Sequence, residues 1–419
     1  MTLLPSSAEV RQGELAIGGC RVVDLAEKYG TPLFIYDEGH IRSRCREAVT
    51  AFPDGVSYAA KAFLCSAMAR LVTAEGMGID VASGGELELA LRSGVTGERL
   101  VFHGNNKSRS ELVGAVNAGV GRIVVDSPSE VRRLAEIAAG VGEPIPVMVR
   151  VNPGVEAHTH QYLHTGGVDS KFGVGIESGA AQDLVHMVKG VRSLEFVGVH
   201  AHVGSQVFAV DSFRYLVRAL ARFVEWADPE EVSFGGGLGV AYVAGEKGPS
   251  ISEWGQAVVG ESRRAGITAR IVAEPGRAIV AQAAITVYTV GTIKRIPGVR
   301  TYVAVDGGMS DNPRPVLYGS GYEAFLPRAV DADRDLEVRM VGKHCESGDV
   351  LVWNGMVPSD LEEGDLIATP VTGAYGYSMG SNYNLVPRPA VVFVADGHDR
   401  LVVRRETHED MLSRDMELD

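Results

Sequence analysis

The sequence predicts an α/β protein: a (β/α)8 TIM-type barrel followed by a C-terminal, mostly antiparallel β domain. Three observations predict it. Between residues 55 and 277 a short apolar, β-branched run ending in polar or glycine residues recurs eight times, alternating with helix-like segments. From position 284 that rhythm gives way to strand-length alternation between turn residues, with no comparable amphipathic helix before the end. The 419 residues, with 45% hydrophobic and 22% charged content, suffice for two or three domains with ample core.

Residues 1–36 hold strand-like pieces at 15–17 and 33–36 around a helix-like 23–29. They precede the barrel pattern and are expected to complete the sheet of the β domain. Asp37 reads as the N-cap of a helix running to Ala51 and stopped by Phe52, Pro53, Asp54 and Gly55. The barrel domain is assigned to 37–283, with strands at 56–61, 78–83, 100–105, 122–127, 146–152, 197–202, 232–237 and 271–277. Its helices include 66–75, 86–91, 129–139 and 212–226. In such a barrel the active site gathers at the C-terminal strand ends. Those ends carry Lys61, Asp80, His103, Asn105, Asp126, Asn152, His202, Gly235, Gly236, Gly237, Glu274 and Arg277, which marks that face as catalytic. The long interval between strands five and six contains His158, His160, His164 and a loop at 166–173, and is expected to shape the substrate site. Residues 284–419 form the β domain, with strands at 285–290, 302–305, 350–352 and 390–394.

Forty Lys and Arg against 53 Asp and Glu leave a net charge of −13, which argues against nucleic acid or an anionic membrane as partner. No apolar run approaches the roughly 18 residues of a membrane span, and the N-terminus lacks a basic stretch followed by an apolar one. Cys20, Cys45, Cys65 and Cys345 are widely spaced without a CxxC pair, so reduced thiols in a cytoplasmic protein are expected. Cys20, Cys45 and Cys65 read as packing residues.

Several motifs carry chemistry, each beside a plainer reading. The glycines at 235–237 let backbone N–H groups approach an anion, in a region that often holds phosphate in this fold; a tight turn is the alternative. No dinucleotide fingerprint or P-loop is present. Lys61 is either a snorkelling side chain or an amine desolvated by Tyr58, Phe63 and the barrel mouth, as a Schiff-base lysine requires. A lysine together with a phosphate cradle suggests pyridoxal 5′-phosphate (PLP). Glu274 can then pair with the pyridine nitrogen and preserve the ring as an electron sink, unless it merely forms an ion pair with Arg277. His200 and His202 share one strand face. A metal pair is possible, but strands seven and eight add few ligands, so an imidazole stacked on a flat ring fits better, with His202 stacking and His200 structural. Cys345, beside Lys343 and His344, is a candidate acid or base or else a buried small residue.

Taken in order, the residues Tyr58-Ala59-Ala60-Lys61-Ala62, His202-Val203-Gly204-Ser205-Gln206, Gly235-Gly236-Gly237, Glu274-Pro275-Gly276-Arg277, Cys345-Glu346-Ser347-Gly348-Asp349 and Gly373-Ala374-Tyr375-Gly376 span nearly the whole chain. This ordered set closely resembles the diaminopimelate decarboxylases, within the PLP-dependent, alanine-racemase-like (fold type III) decarboxylases. The resemblance implies decarboxylation of meso-2,6-diaminopimelate to L-lysine and CO2, the last step of lysine biosynthesis. It implies that Lys61 carries the cofactor, that His202 stacks on its ring and that Glu274 contacts the pyridine nitrogen. Ser205, Gly235, Gly236, Gly237, Gly276, Arg277 and Tyr375 would hold the phosphate. Arg277, Arg314, Tyr318, Glu346 and Tyr375 would line the substrate pocket, and Cys345 would donate the proton. It further implies a homodimer whose sites are completed by the partner's Cys345 and Glu346. Another decarboxylase of the same fold, acting on arginine, ornithine, lysine or carboxynorspermidine, is the nearest alternative. A metal-dependent amidohydrolase and a catalytically silent binding homologue are more distant ones.

Overall fold

A computed structural model describes residues 2–154 and 170–416. His158, His160, His164 and positions 166–169 of the insertion lie outside the described residues. The chain divides into two units, one of Arg44–Val240 with Gly248–Ala278, the other of Met1–Ser43, Ala241–Lys247 and Ile279–Asp419.

The first unit is the barrel. Its strands are Ser57–Ala59, Gly78–Val81, Leu100–Phe102, Arg122–Val125, Ile145–Asn152, Leu194–His200, Glu231–Ser233 and Arg270–Val272. Each pairs in parallel with the next. The ring closes where Val56 bridges Ala273 and the Ser57 N–H donates to the Ala273 carbonyl at 2.9 Å. The strands are short and nearly all buried, as expected where one face meets the barrel interior and the other meets helices. The connecting helices start where serine can cap them. Ser83 and Ser127 accept from Glu86 and Glu130, while Ser108 with Glu111 and Ser250 with Glu253 form capping boxes. At the N-terminal ends of the strands Arg122 and Arg270 both clamp the buried Glu231, at 2.5 and 2.8 Å.

The strands end earlier than the sequence pattern suggests. The first stops at Ala59, and Lys61 lies on the 3-10 turn Ala60–Ala62. The eighth stops at Val272, and Arg277 opens the short helix Arg277–Val280. Pro275 has no N–H to donate to a ladder; its carbonyl instead accepts the Ala59 N–H at 3.1 Å.

The second unit is built on one large sheet; Glu9–Arg11, Glu14–Ile17 and Cys20–Arg21 form a separate three-stranded antiparallel sheet, so of the N-terminal strands expected to complete the large sheet only Leu33–Asp37 joins it. The order of the large sheet is Val350–Val357, Leu336–Val341, Arg300–Val305, Ala284–Ile296, Leu33–Asp37, Ala390–Ala395, His398–Val403, with Leu366–Pro370 also pairing Ala284–Ile296. Pairing is mostly antiparallel but mixed, because Arg300–Val305 runs parallel to Leu336–Val341 and Leu33–Asp37 runs parallel to Ala390–Ala395. The strand Leu33–Asp37 is buried at every residue, flanked on both edges, which explains its unbroken apolar run. Beneath it lies a core that includes Leu15, Ile17, Val22, Leu33, Ile35, Ile285, Val287, Ala390 and Val392. Among the described residues no helix is long and apolar enough to cross a membrane.

Candidate active site

Within the barrel the structure brings together most of the strand-end residues. Glu274, 8% exposed, is the centre. One carboxylate oxygen faces His200 Nε2 at 3.0 Å, and the other accepts from Ser233 Oγ at 2.7 Å with His103 Nε2 at 3.4 Å. His103 in turn lies 3.6 Å from Asp80. Burial opposes charge on Glu274, but His200 and His103 outweigh it and hold the carboxyl well below the usual range. Burial pushes His200 down to about 4, against the pull of Glu274, so it is neutral at pH 7 and donates Nε2–H. For His103 the carboxylates of Asp80 and Glu274 outweigh burial and raise it. Asp80 is raised by burial, with His103 opposing. His103, His200 and Glu274 also offer ligand atoms within 4.8 Å of one another. This differs from the two-apart pair His200 and His202 that the sequence offered as a metal motif.

The three glycines sit where no side chain would fit. A Cβ on Gly235 would lie 2.5 Å from His202 Nδ1, on Gly236 2.3 Å from the Glu274 carbonyl, and on Gly237 2.2 Å from the Gly204 carbonyl. Only glycine allows strands six, seven and eight to approach so closely here, and Gly235 and Gly237 also take positive φ. The Gly235 and Gly236 N–H groups are donated to Ser233 Oγ and His202 Nδ1, at 3.2 and 3.3 Å. His202 is pushed well below its ordinary range by burial and by the positive charges of Lys61 and Arg150, leaving a flat neutral ring. Gly276 packs where a Cβ would be 3.0 Å from that of Ala59, and Arg277 donates to Ser205 Oγ at 2.9 Å. The expectation that Tyr58 and Phe63 desolvate Lys61 is not met. Both aromatic residues are buried, with the Tyr58 hydroxyl donating to the Phe63 carbonyl at 2.7 Å, while Lys61 itself is exposed.

In the β unit a second constellation forms around Arg314, on the helix Arg314–Tyr318. The residue is 5% exposed, and its guanidinium faces the rings of Tyr242, Tyr318 and Tyr375 at 4.7, 5.7 and 6.0 Å. Its Nε donates to Tyr322 Oη and its Nη2 to Ser320 Oγ, both at 3.0 Å. Among the described residues no carboxylate lies within ion-pair distance of it. Tyr375 takes φ of 62° beside Gly373, where a Cβ would strike the Val280 carbonyl at 1.9 Å. Cys345 and Glu346 are exposed on the loop between the strands Leu336–Val341 and Val350–Val357, so the buried-residue reading of Cys345 is excluded. Cys20, Cys45 and Cys65 are buried, as packing residues should be.

Residues 38–281 match the family model of the pyridoxal-dependent decarboxylases, pyridoxal binding domain. The chain is 48% identical to the diaminopimelate decarboxylase of Mycobacterium tuberculosis, covering 96% of this chain and 94% of that one. It is 43% identical to that of Bacillus subtilis, covering 99% and 98%. The crystal structure of diaminopimelate decarboxylase from M. jannaschii in co-complex with L-lysine superposes with a TM-score of 0.93 at 33% identity, covering 99% and 98%. The chain belongs to the diaminopimelate decarboxylase family. The pyridoxal cofactor of that family suits the barrel set chemically, for it comprises a primary amine, an ionised carboxylate, a neutral flat imidazole and a passage that admits no Cβ. Two features escaped the sequence. His200 was read as merely structural, yet it bonds Glu274; its position at the end of strand six was the available signal. Tyr242, Ser320 and Tyr322 around Arg314 gave no local signal at all.

Proposed function

We propose that this protein decarboxylates meso-2,6-diaminopimelate to L-lysine and CO2 with PLP, the final step of lysine biosynthesis. The observation that carries the choice among amino-acid decarboxylases is Arg314, a buried cation in an aromatic box with no acid partner among the described residues. A substrate bearing a second carboxylate at its far end would supply the missing anion through charge-assisted bonds, whereas lysine or ornithine has none to offer.

In this reading Lys61 carries the cofactor aldehyde, His202 stacks on the ring and Glu274 keeps the ring nitrogen protonated. Ser205, the Gly235, Gly236 and Gly237 backbone, Gly276, Arg277 and Tyr375 hold the phosphate. When bound, PLP supplies an electron sink conjugated to the substrate's amino group. The chain's own residues then orient and protonate. Arg277, Arg314, Tyr318, Tyr375 and Glu346 bind the substrate's charged ends. Breaking the bond between Cα and its carboxylate releases CO2 and leaves an electron pair at Cα, and Cys345 returns a proton there from Sγ. The reading includes a homodimer in the cytoplasm, each site completed by the partner's Cys345 and Glu346. The apolar side chains of Val316, Leu317, Tyr318, Tyr383 and Leu385, all exposed on the same β unit as Cys345, support a surface that a second copy covers.

The test is an absorbance spectrum of the purified protein with PLP, before and after borohydride, together with CO2 release from meso-diaminopimelate, lysine, ornithine and arginine. A visible band lost on reduction, a label located on Lys61 and turnover of meso-diaminopimelate alone are expected. Lys61→Ala should lose the band and at least about a thousandfold in turnover. A retained band, or preferred turnover of a substrate without the distal carboxylate, would overturn the assignment.

A further inference from the structure

We propose that Asp349 is a positioning residue: its carboxylate staples the corner bearing Cys345 and Glu346 to the segment that delivers Arg314. The inference deepens the reading of Cys345 as proton donor and rests on it.

The corner is the eight-residue connection 342–349 between two antiparallel strands, and a connection of that length ordinarily moves freely at its tip. Here the side chains at its tip are exposed while its backbone is gripped. Asp349 Oδ2 accepts the His344 N–H at 2.9 Å, immediately before Cys345. Asp349 Oδ1 accepts the Met309 N–H at 2.7 Å. Met309 lies on the stretch that follows the strand Arg300–Val305 and runs into the helix Arg314–Tyr318. One carboxylate therefore ties two chain segments that are 35 or more residues apart.

The surroundings are shaped for it. Asp349 is 3% exposed, and a Cβ on Gly342 or Gly308 would lie 2.1 or 2.6 Å from its carboxylate oxygen, so both positions must be glycine for the carboxylate to fit. No lysine or arginine pairs with it among the described residues; the two backbone N–H groups offset part of its burial. Further contacts hold the same corner. His344 Nε2 meets Ser310 Oγ at 2.8 Å, the Lys343 N–H donates to the Gly307 carbonyl at 2.9 Å, and the Cys345 N–H donates to Asn384 Oδ1 at 3.1 Å. An exposed thiol on a backbone fixed from these sides is what delivery of a proton to one face of one carbon demands, because a misplacement of about 1 Å can cost on the order of a hundredfold in rate.

Asp349→Asn tests this in the PLP-loaded enzyme. The change is nearly isosteric, yet the amide can accept only one of the two N–H groups and turns its own N–H2 toward the other. Two readouts are taken: kcat and KM for meso-diaminopimelate, and the rate at which iodoacetamide alkylates Cys345, followed on its peptide by mass spectrometry. The other three cysteines are buried and should not react first. With the cofactor band retained, kcat should fall about 10- to 100-fold while KM stays within about threefold, and the alkylation rate should shift by about threefold or more. Where Cys345→Ala is inactive, a kcat for Asp349→Asn within about twofold of the parent overturns the proposal. Where Cys345→Ala retains kcat, the proton-donor reading falls instead, and an unchanged alkylation rate then overturns the positioning role separately. Should Asp349→Asn fail to fold, Ser310→Ala, which removes the hydroxyl that meets His344 Nε2 at 2.8 Å and Asp311 Oδ1 at 3.4 Å, is judged by the same two readouts, with a smaller loss of about three- to tenfold in kcat expected.

Discussion

The cluster around Glu274 and the box around Arg314 each bury an ionised group, and they treat it oppositely. Glu274 is surrounded by its own answers: His200, His103 and Ser233 all reach its oxygens, and the burial that opposes its charge is overcome from within the barrel. Arg314 receives hydroxyls and aromatic faces but no carboxylate among the described residues. A buried charge left without a counterion is costly unless something else supplies one. One group has its partners inside its own cluster, while the other lacks a carboxylate among the described residues; in the proposed reading the first serves a cofactor's ring and the second awaits the substrate's distal carboxylate.

The sharpest way to break the comparison is Glu274→Gln, which keeps the shape of the cluster and removes its charge. Turnover should fall about a hundredfold or more with the cofactor still bound, because a preorganised charge aimed at the reacting system is lost. A loss under about threefold would mean that the cluster is structural and its charge incidental. Arg314→Ala acts on the other side. The Michaelis constant for meso-diaminopimelate should rise about 10- to 100-fold, the worth of one or two charge-assisted bonds, with a smaller change in kcat. An unchanged Michaelis constant would remove Arg314 from the substrate's distal end.

The mildest test is pH. His200 is held neutral in the fold, with its pKa lowered from 6.5 to about 4, so the unfolded chain binds a proton there first. Stability contributed by neutral His200 is therefore complete above about pH 6.5 and lost progressively as pH falls toward 4. His103, raised in the fold, contributes in the opposite sense: its share is complete below its ordinary range and is lost only as pH rises. Comparing His200→Gln with the parent isolates the first effect. The melting temperature of the parent should fall more steeply between pH 6.5 and 4.5 than that of the variant, by about 2 °C or more. Parallel curves would show that His200 does not bear on the cluster's charge.

Much of this was legible from residue order. Lys61, the glycines at 235–237 and Glu274 stood out as candidates because a parallel barrel gathers polar groups and tight turns where apolar strands stop. The barrel and the β domain were legible for a related reason, since a change in hydrophobic period marks a change in architecture. The β domain's two parallel pairs were not, because strand direction depends on how distant segments meet. Lys61 departs from expectation on similar grounds: Tyr58 and Phe63 are close to it in sequence and both are buried, with the Tyr58 hydroxyl donating to the Phe63 carbonyl, while Lys61 itself is exposed.

By itself the sequence determined the count of barrel strands, the change of architecture near residue 284 and the inventory of polar groups at the strand ends, all of which depend on neighbours a few positions away. Only the tertiary structure decided which groups meet the buried charges. His200 and Glu274 are 74 residues apart, and Tyr242 lies 72 positions before Arg314; strand register and chain packing, not local pattern, made them partners.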